Sequence, residues 1–527
     1  MIDLSIDPRS LSLREKLAQL MFPRIGNNLP PISTVSEDAD RVAELLQALP
    51  VGGLCIFNGH WPHTPRTISR LQEASSIPLL ICADVERGAG QQISGLSVFP
   101  DAMALSAMDS PEQSLDAARS LGHATAAESL AAGVHMVLGP VADVNSDPRN
   151  PIIATRAFST DTAQSATLAA AYIEGCQSTG AYAMAKHFPG HGNTTEDSHE
   201  SLPHVHADRD LLMERDVAPF AAAIKAGVRC IMTAHVAYPA LDPTGVPATI
   251  SRPILTGLLR EELGFDGVIM TDSVLMSGVR DLFDEEGPLC KAVIDAGADI
   301  LLDVADPVAV VDYLLQCVEN GDLEESRVDQ SLERIWKLKT DLHGKLGDAV
   351  FEGSNVPDEP MITAEFTGLA DQIASSSVTE LGDTGDVVAA TLTSDETLGV
   401  LIVKPFDVPW DVDEQPLVGS LRSTFPSLQA FEISPKHGNA DEILAAASQL
   451  DHVVVAMIVR PVAWHEFGLP ESQKQLVDQL ALATKVTAVS LGIPAILEKF
   501  PQIQRRICAF SNVEVSQLAV VKYLAGE

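Results

Sequence analysis

The stretch AYAMAKHFPGHG (Ala181–Gly192) places a short apolar run directly before a lysine, a histidine and a Pro-Gly pair. A continuous apolar run of this length is typical of a β-strand that is buried on both faces. Six other runs share this form, being short, apolar and followed by polar residues, glycine or proline: Gly52–Asn58, Pro78–Gly88, Val134–Asn145, Cys230–Pro239, Gly267–Met276 and Ala296–Val304. Segments with helical periodicity lie between them, such as DTAQSATLAAAYIEGCQSTG. This alternation predicts parallel strands that are joined by helices.

The number of strand–helix units favours a TIM-type (β/α)8 barrel over an open sheet, and a further strand near Leu17–Pro23 would complete the ring. The predicted barrel domain covers residues 1–345. In such barrels the active site forms at the carboxyl ends of the strands. Polar side chains end several of the apolar runs: Asp84, Asp143, Lys186, His187, His235 and Asp272. One such residue is explained equally well by a turn, but six at corresponding places predict a functional site.

A second domain is predicted after the barrel. Residues 346–375 are rich in glycine, proline and acidic residues, which is typical of a linker. From residue 376 to residue 527 the strand–helix alternation resumes with the runs LGVLIVKPF, HVVVAMIV, KVTAVSLGI and RRICAFS. This pattern predicts a doubly wound α/β sandwich. Neither GxGxxG nor GxxxxGK occurs in it, so a nucleotide site has little support.

The composition excludes some classes of partner. The formal net charge of −37 repels nucleic acid and anionic membrane surfaces, so neither is an expected partner. No apolar run is long enough to span a bilayer, and no basic region followed by an apolar stretch marks a signal peptide at the N-terminus. The seven cysteines are an odd number without metal-ligand spacing, and several lie in apolar runs. We therefore expect buried, unpaired thiols and a cytoplasmic protein.

Residues 185–208 carry five histidines, and three interpretations compete for them: a metal site, an acid/base site and a polar loop without chemistry. A metal site would draw on a larger pool of ligands: His187, His191, His199, His204, His206, His235 and Asp272. The His-x-His pair lies after Pro203, beyond the apolar run, and HExxH is absent. A metal site is therefore the less favoured interpretation, and we expect none.

The spacing within this stretch fits acid/base chemistry. Asp197 precedes His199 by two residues, so its carboxylate can accept the imidazole Nδ1 proton and tune the histidine as a proton donor. Asp272, after the apolar GVIM, would be a carboxylate on a rigid strand end. A carboxylate nucleophile and a separate proton donor are the minimum for glycoside hydrolysis by double displacement. A hydrogen-bonded loop dyad without catalysis stays open on spacing alone.

The longer motif KHFPGHGNTTEDSHESLP (Lys186–Pro203) resembles the signature of bacterial β-N-acetylhexosaminidases of glycoside hydrolase family 3. The segments Gly139–Asp161 and Gly264–Met276 resemble the preceding barrel segment and the nucleophile segment of that family. AVSLGIPAIL resembles the second domain of its two-domain members. The resemblance extends over nearly the whole chain. Ser273 departs from the family pattern, which usually has a second acid there.

The resemblance implies a role for each matching residue. Asp272 would be the nucleophile, His199 on a mobile loop would be the general acid and then the general base, and Asp197 would orient it. Four residues would bind sugar hydroxyls: Asp84, Arg156, Lys186 and His187. The substrate would be a small carbohydrate, and the mechanism requires neither a metal nor an organic cofactor.

The function that follows is an exo-acting retaining β-N-acetylglucosaminidase, which would release terminal GlcNAc from muropeptides or chitooligosaccharides. A β-N-acetylglucosaminide phosphorylase is an alternative, because a histidine donor places no extra negative charge beside an entering phosphate. Broader β-glucosidase activity and a non-catalytic glycan-binding scaffold are the others. The second domain has three possible roles: shaping the pocket rim, forming a homodimer interface or stabilising the barrel.

Overall fold

The computed structural model describes residues 4, 6–351, 356–360, 362–381, 392, 396–408, 412 and 414–526. The chain forms two compact units. The first comprises Met1–Val98, Ala118–Ser146 and Thr160–Phe366, and the second comprises Phe99–Ala117, Asp147–Ser159 and Thr367–Glu527. Residues 352–355 and 361 of the predicted linker lie outside the described residues. The predicted domain boundaries at 345 and 375 stay a prediction.

The first unit is a ring of parallel strands. In the described chain they follow one another in sequence order: Met21–Phe22 with Arg24–Ile25, Gly53–Ile56, Leu80–Ala83, Met136–Val137, Tyr182–Phe188, Cys230–Thr233, Val268–Met270 and Leu301–Leu302. Met21–Phe22 pairs with Leu301–Leu302, and Arg24–Ile25 pairs with Gly53–Ile56. A bridge between Met270 and Ile300 connects Val268–Met270 to the segment of Leu301–Leu302, and this closes the ring. The fold class predicted for this part of the chain, a TIM-type barrel, is confirmed.

Burial explains why these strands read as continuous apolar runs. Every residue of Gly53–Ile56, Leu80–Ala83 and Tyr182–Phe188 is buried, because the barrel interior covers one face and the helices cover the other. Pro23 divides the first strand, since proline has no backbone N–H to donate to a ladder. A two-residue strand on each side of it is too short to stand out in the sequence pattern.

The helices of the first unit follow the strands around the barrel. Their bounds are Leu13–Ala18, Ala39–Ala48, His63–Ala74, Thr162–Ser178, Ala218–Lys225, Glu286–Ala296, Pro307–Asn320 and Glu325–Leu346, with π-helical segments at Leu212–Val217 and Pro253–Glu262. The helices Pro111–Ala131 and Ala364–Ser377 have residues in both units. Leu13–Ala18 begins with a capping box, in which Ser12 and Glu15 satisfy each other's backbone N–H groups.

The second unit contains a six-stranded sheet. Its strand order is Thr379–Leu381, Arg505–Cys508, Lys485–Ser490, His452–Met457, Leu398–Val403 and Gln429–Ile433. All neighbours are parallel except the antiparallel edge strand Thr379–Leu381. The helices Pro416–Thr424, Ala440–Ala447, Glu471–Ala483 and Glu514–Ala525 connect or follow the parallel strands. The predicted α/β sandwich is confirmed. The two outermost strands were missed, because their residues are half-buried or exposed and form no apolar run.

The cysteines and the long helices bear on two further predictions. All seven cysteines are buried and none is in a disulfide, as predicted. In the part of the chain that the structure describes, no helix combines the length and the apolar character that crossing a bilayer requires.

Lys339 makes the stability of the barrel dependent on pH. Its side chain is fully buried, its ammonium donates to Gln19 Oε1 at 2.5 Å, and burial lowers its pKa from the usual 10.5 to about 7. Between these two values the unfolded chain binds more protons than the folded chain, so this group makes the free energy of unfolding increase with pH. We expect Lys339→Met to remove that increase, as measured by urea unfolding at pH 7 and at pH 9.5.

Lys337→Met is the matched control, because Lys337 lies exposed on the same helix. It should retain the increase that the wild type shows. An equal change with pH in the wild type and in Lys339→Met would contradict the prediction.

Candidate active site

Polar side chains meet at the carboxyl ends of the barrel strands, because all the strands run in the same direction. Asp84 follows the strand Leu80–Ala83, and Lys186 and His187 lie within Tyr182–Phe188. His235 and Asp272 follow the next two strands round the ring. The strand-end residues singled out in the sequence are therefore brought to one end of the barrel.

Lys186 is fixed between two carboxylates. Its ammonium lies 2.5 Å from Asp84 Oδ1 and 2.7 Å from Glu86 Oε1, and its side chain is only 2% exposed. Asp84 keeps 32% of its side chain exposed. The pair thus presents a carboxylate oxygen, held in place by a buried cation, at an accessible surface. Such a group can accept hydrogen bonds from the hydroxyls of a ligand.

His187 is oriented by the fully buried Asp143. The Asp143 carboxylate accepts from His187 Nδ1 at 2.7 Å and from the backbone N–H of His191 at 2.6 Å. Burial by itself would raise the pKa of Asp143, but the neighbouring imidazoles and these hydrogen bonds hold it below its usual value. With Nδ1 engaged, His187 Nε2 faces Asp272 Oδ2 at 3.9 Å.

Asp272 is held as an ionised carboxylate. The backbone N–H of Ser273 donates to Asp272 Oδ1 at 2.7 Å, and 24% of the Asp272 side chain is exposed. Burial alone would raise its pKa, but nearby side chains that carry or take up a proton lower it to about 2: His187, His235, His199 and Lys186. A carboxylate in this setting is deprotonated at neutral pH and available as a nucleophile.

His199 and Asp197 form a hydrogen-bonded pair on the loop after Tyr182–Phe188. Asp197 Oδ1 accepts from His199 Nδ1 at 2.7 Å and from the His199 backbone N–H at 2.9 Å. Asp197 is almost buried, whereas 22% of the His199 side chain is exposed. Because the carboxylate engages Nδ1, proton exchange between His199 and a ligand would proceed through Nε2.

The loop that carries this pair is anchored at Ser198, the residue directly before His199. His191 Nε2 and Ser198 Oγ are 2.9 Å apart and buried. The Ser198 carbonyl accepts from the backbone N–H of Gly278 at 3.1 Å. These contacts connect the loop to the His191 side chain and to the segment that follows Asp272. Ser198 has no sequence signal of its own except its place inside the motif.

His235 supports the loop of Asp272. It is fully buried, its Nε2 donates to the Ser273 carbonyl at 2.9 Å, and its Nδ1 lies 2.7 Å from Thr249 Oγ1. Burial lowers its pKa, so it is neutral at pH 7. His204 and His206 stack with their ring centroids 6.0 Å apart. Within the described ranges, no three His, Cys, Asp or Glu side chains are grouped as metal ligands.

Arg156 belongs to the second compact unit. It ends the short helix Ala154–Arg156, and its Nη1 donates to the Ile152 carbonyl at 2.7 Å. The neighbouring Thr155 hydroxyl donates to Asp101 at 2.9 Å. Arg156 is thus placed by a locally hydrogen-bonded turn, and its predicted contact with a sugar hydroxyl stays a prediction.

Asp303 and Arg24 lie beside the Asp272 loop and were not predicted as site residues. Asp303 directly follows the strand Leu301–Leu302 and accepts a hydrogen bond from the Ser273 hydroxyl at 2.5 Å. The strand-end rule that selected Asp84 and Asp272 would also have found Asp303, since it ends the apolar run Ala296–Val304. Arg24 pairs with Asp303 but follows a proline in a broken strand, which hides it in the sequence.

A scan against models of protein families matches residues 12–338 to the glycosyl hydrolase family 3 N-terminal domain. The chain is 31% identical to "Beta-hexosaminidase A" of Pseudoalteromonas piscicida over 472 residues, which cover 82% of this chain and 75% of that protein. It is 29% identical to "Beta-N-acetylglucosaminidase/beta-glucosidase" of Cellulomonas fimi over 410 residues, covering 74% and 71% of the two chains.

A solved structure matches nearly the whole chain. It is a glycoside hydrolase family 3 β-N-acetylglucosaminidase from Paenibacillus sp. str. FPU-7, with a TM-score of 0.86 and 29% identity, and the match covers 98% of this chain and 97% of that one. The family match spans the barrel strands whose ends carry Asp84, Lys186, His187 and Asp272. This chain belongs to glycosyl hydrolase family 3 and is a glycoside hydrolase.

Proposed function

We propose that the protein is an exo-acting retaining β-N-acetylglucosaminidase. One observation carries the proposal: the Ser198 carbonyl, directly before the His199 that Asp197 orients, accepts a hydrogen bond at 3.1 Å from the Gly278 N–H in the segment that follows Asp272. In agreement with this link, His199 is among the groups that lower the pKa of Asp272. A nucleophile and a proton donor therefore lie within electrostatic range of each other at the same end of the barrel. Two groups of this kind, one on each side of a glycosidic bond, are what double displacement requires.

In the first step, an Asp272 oxygen forms a bond to the anomeric carbon while the bond to the leaving oxygen breaks. His199 Nε2 gives its proton to that oxygen, and the Asp197 carboxylate stabilises the imidazolium before this transfer. In the second step, His199 takes a proton from water, and the resulting hydroxide oxygen displaces Asp272. Two inversions at the same carbon give net retention of the β configuration.

Asp84, Lys186 and His187 would bind the hydroxyls of the terminal sugar, and Arg156 is proposed to do the same. The support is that Lys186 and His187 are buried and fixed by carboxylates, so a ligand meets rigid donors and acceptors. A pocket of this type discriminates strongly against a sugar that lacks a matching hydroxyl, because its own polar groups would be left unpaired.

The preference for N-acetylglucosaminides is supported by the names of one relative and of the solved structure reported above. Muropeptides and chitooligosaccharides are the substrates we propose, and turnover of muropeptides would place the enzyme in cell-wall recycling. Seven buried, unpaired thiols suit a reducing compartment, so we propose a cytoplasmic location. A homodimer interface stays one of three roles for the second domain.

Paired 4-nitrophenyl glycosides test this function. We expect the N-acetylglucosaminide to be hydrolysed at least roughly 10-fold faster than the glucoside, because the site would lose contacts with the missing acetamido group. The rate should be the same with and without inorganic phosphate, and NMR should show the β anomer of GlcNAc as the first product.

Each other outcome supports a different function. Accumulation of GlcNAc-1-phosphate would identify a phosphorylase. Equal rates on both glycosides would indicate a broader β-glucosidase, and glycan binding without turnover would indicate a scaffold. A first-formed α anomer would exclude the retaining mechanism.

A further inference from the structure

Ser273 uses each of its polar groups to fix the segment after Asp272. Its backbone N–H donates to Asp272 Oδ1 at 2.7 Å, and its carbonyl accepts from His235 Nε2 at 2.9 Å. Its hydroxyl donates to Asp303 Oδ2 at 2.5 Å. The direction of the N–H that holds the Asp272 carboxylate is therefore set by the two other contacts of the same residue.

Asp303 is a rigid acceptor for that hydroxyl. Its side chain is 2% exposed, its backbone has φ of +67°, and its N–H donates to the Phe22 carbonyl at 2.8 Å. Arg24 holds the carboxylate in a bidentate ion pair, in which Nε lies 2.5 Å from Oδ1 and Nη2 donates a hydrogen bond to Oδ2. A bidentate pair of this type fixes the carboxylate plane as well as its position.

Charge explains why a serine suits position 273. The Asp303 carboxylate already lies at hydrogen-bond distance from this side chain, and Asp272 carries a negative charge one residue away. An ionised acid at 273 would face Asp303 with a like charge and would add a second negative charge beside Asp272. A hydroxyl, in contrast, donates to Asp303 and leaves the charge near Asp272 unchanged.

We propose that Arg24, Asp303 and Ser273 form a positioning relay that fixes the Asp272 carboxylate for attack on the anomeric carbon. The proposal rests on the proposed role of Asp272 as the nucleophile. None of the three residues needs to touch the substrate, because the relay acts through the Ser273 N–H. Its loss should therefore slow formation of the glycosyl-enzyme bond more than it weakens binding of the sugar.

The test measures how fast the full-length enzyme forms an adduct with 5-fluoro-N-acetylglucosaminyl fluoride, a slow substrate, using intact-protein mass spectrometry. For Ser273→Ala and Asp303→Asn we expect adduct formation to slow by roughly 10- to 100-fold, since a small misplacement of a reacting group has effects of this size. The Kd for free GlcNAc should change by less than about 2-fold, because ground-state contacts are retained. Ser273→Thr, which keeps the hydroxyl, should restore most of the rate.

Asp299→Asn is the matched control, because Asp299 lies just before the strand Leu301–Leu302 whereas Asp303 lies just after it. Asp299 is equally buried and pairs with Arg260 and Arg334. The Asp299→Asn variant should have a lower thermal stability but an unchanged rate of adduct formation, since the amino-terminal face of a barrel serves stability.

The outcomes separate the relay from the proposed function. Peptide mapping of the wild-type adduct to a residue other than Asp272 would overturn both. An adduct on Asp272 that forms at the wild-type rate in Ser273→Ala and Asp303→Asn would overturn the relay alone. The relay is also wrong if Asp299→Asn slows the adduct as much, or if Ser273→Thr is as slow as Ser273→Ala.

Discussion

Asp272→Ala should lose nearly all turnover of 4-nitrophenyl N-acetylglucosaminide, with kcat lower by roughly 10⁴- to 10⁶-fold, as for removal of other enzymatic nucleophiles. The physical reason is that Asp272 accepts a hydrogen bond from the Ser273 N–H and has a pKa lowered to about 2, so it is held as an ionised carboxylate. No other described carboxylate combines these two features. Without it, no covalent intermediate can form at the anomeric carbon.

Added azide gives this prediction a positive readout. In the space left by the side chain, azide should attack the anomeric carbon directly and restore turnover of the activated substrate. One inversion then occurs instead of two, so the product should be the α-glycosyl azide. Asp281→Ala is the control, because Asp281 is an exposed carboxylate nearby in sequence, and it should keep wild-type turnover. Unchanged hydrolysis by Asp272→Ala would falsify the nucleophile assignment.

His199→Ala is expected to show the second largest effect, and the effect should depend on the leaving group. Loss of a general acid typically costs 10²- to 10⁴-fold, and the need for it grows with the basicity of the leaving oxygen. We therefore expect the turnover of chitobiose to fall by roughly 10²- to 10⁴-fold. For 2,4-dinitrophenyl N-acetylglucosaminide, whose leaving group departs without a proton, adduct formation should slow much less.

Asp197→Asn tests whether the pair acts as a unit. The amide keeps the shape but not the charge that the 2.7 Å contact with His199 Nδ1 requires, so the imidazolium would be less stabilised. We expect the same dependence on the leaving group as in His199→Ala. His204→Ala is the control, since His204 is exposed, lies five residues later and hydrogen-bonds only to the Leu202 carbonyl in the described contacts. Equal losses on both substrates would contradict the general-acid role.

The barrel was predictable because its physical cause is local. A strand that is covered on both faces must be apolar at consecutive positions, and this leaves a readable run such as Tyr182–Ala185. Because the carboxyl ends of the barrel strands lie on one face, the sequence also predicts that Asp84 and Asp272 share this face, although it gives no distance between them. Where the strand is short or broken, as at Pro23, the local signal fails and the strand is located only roughly.

The candidate site was predictable only in part, for the same reason. Asp197 and His199 are two residues apart, so the chain itself brings them into contact. Asp303 and Arg24 are 279 residues apart, and closure of the ring brings them together. No local pattern records such a pairing. The division into compact units is equally non-local, since Asp147–Ser159 joins a unit whose main part begins at Thr367.

The sequence by itself determined the fold class and the types of chemical group available, because periodicity and strand ends are properties of consecutive residues. Only the tertiary structure decided how those groups are paired: Lys186 with Asp84 and Glu86, and Asp143 with His187. Pairing decides charge, since the protonation state of a buried side chain depends on the neighbours that the closed barrel places around it.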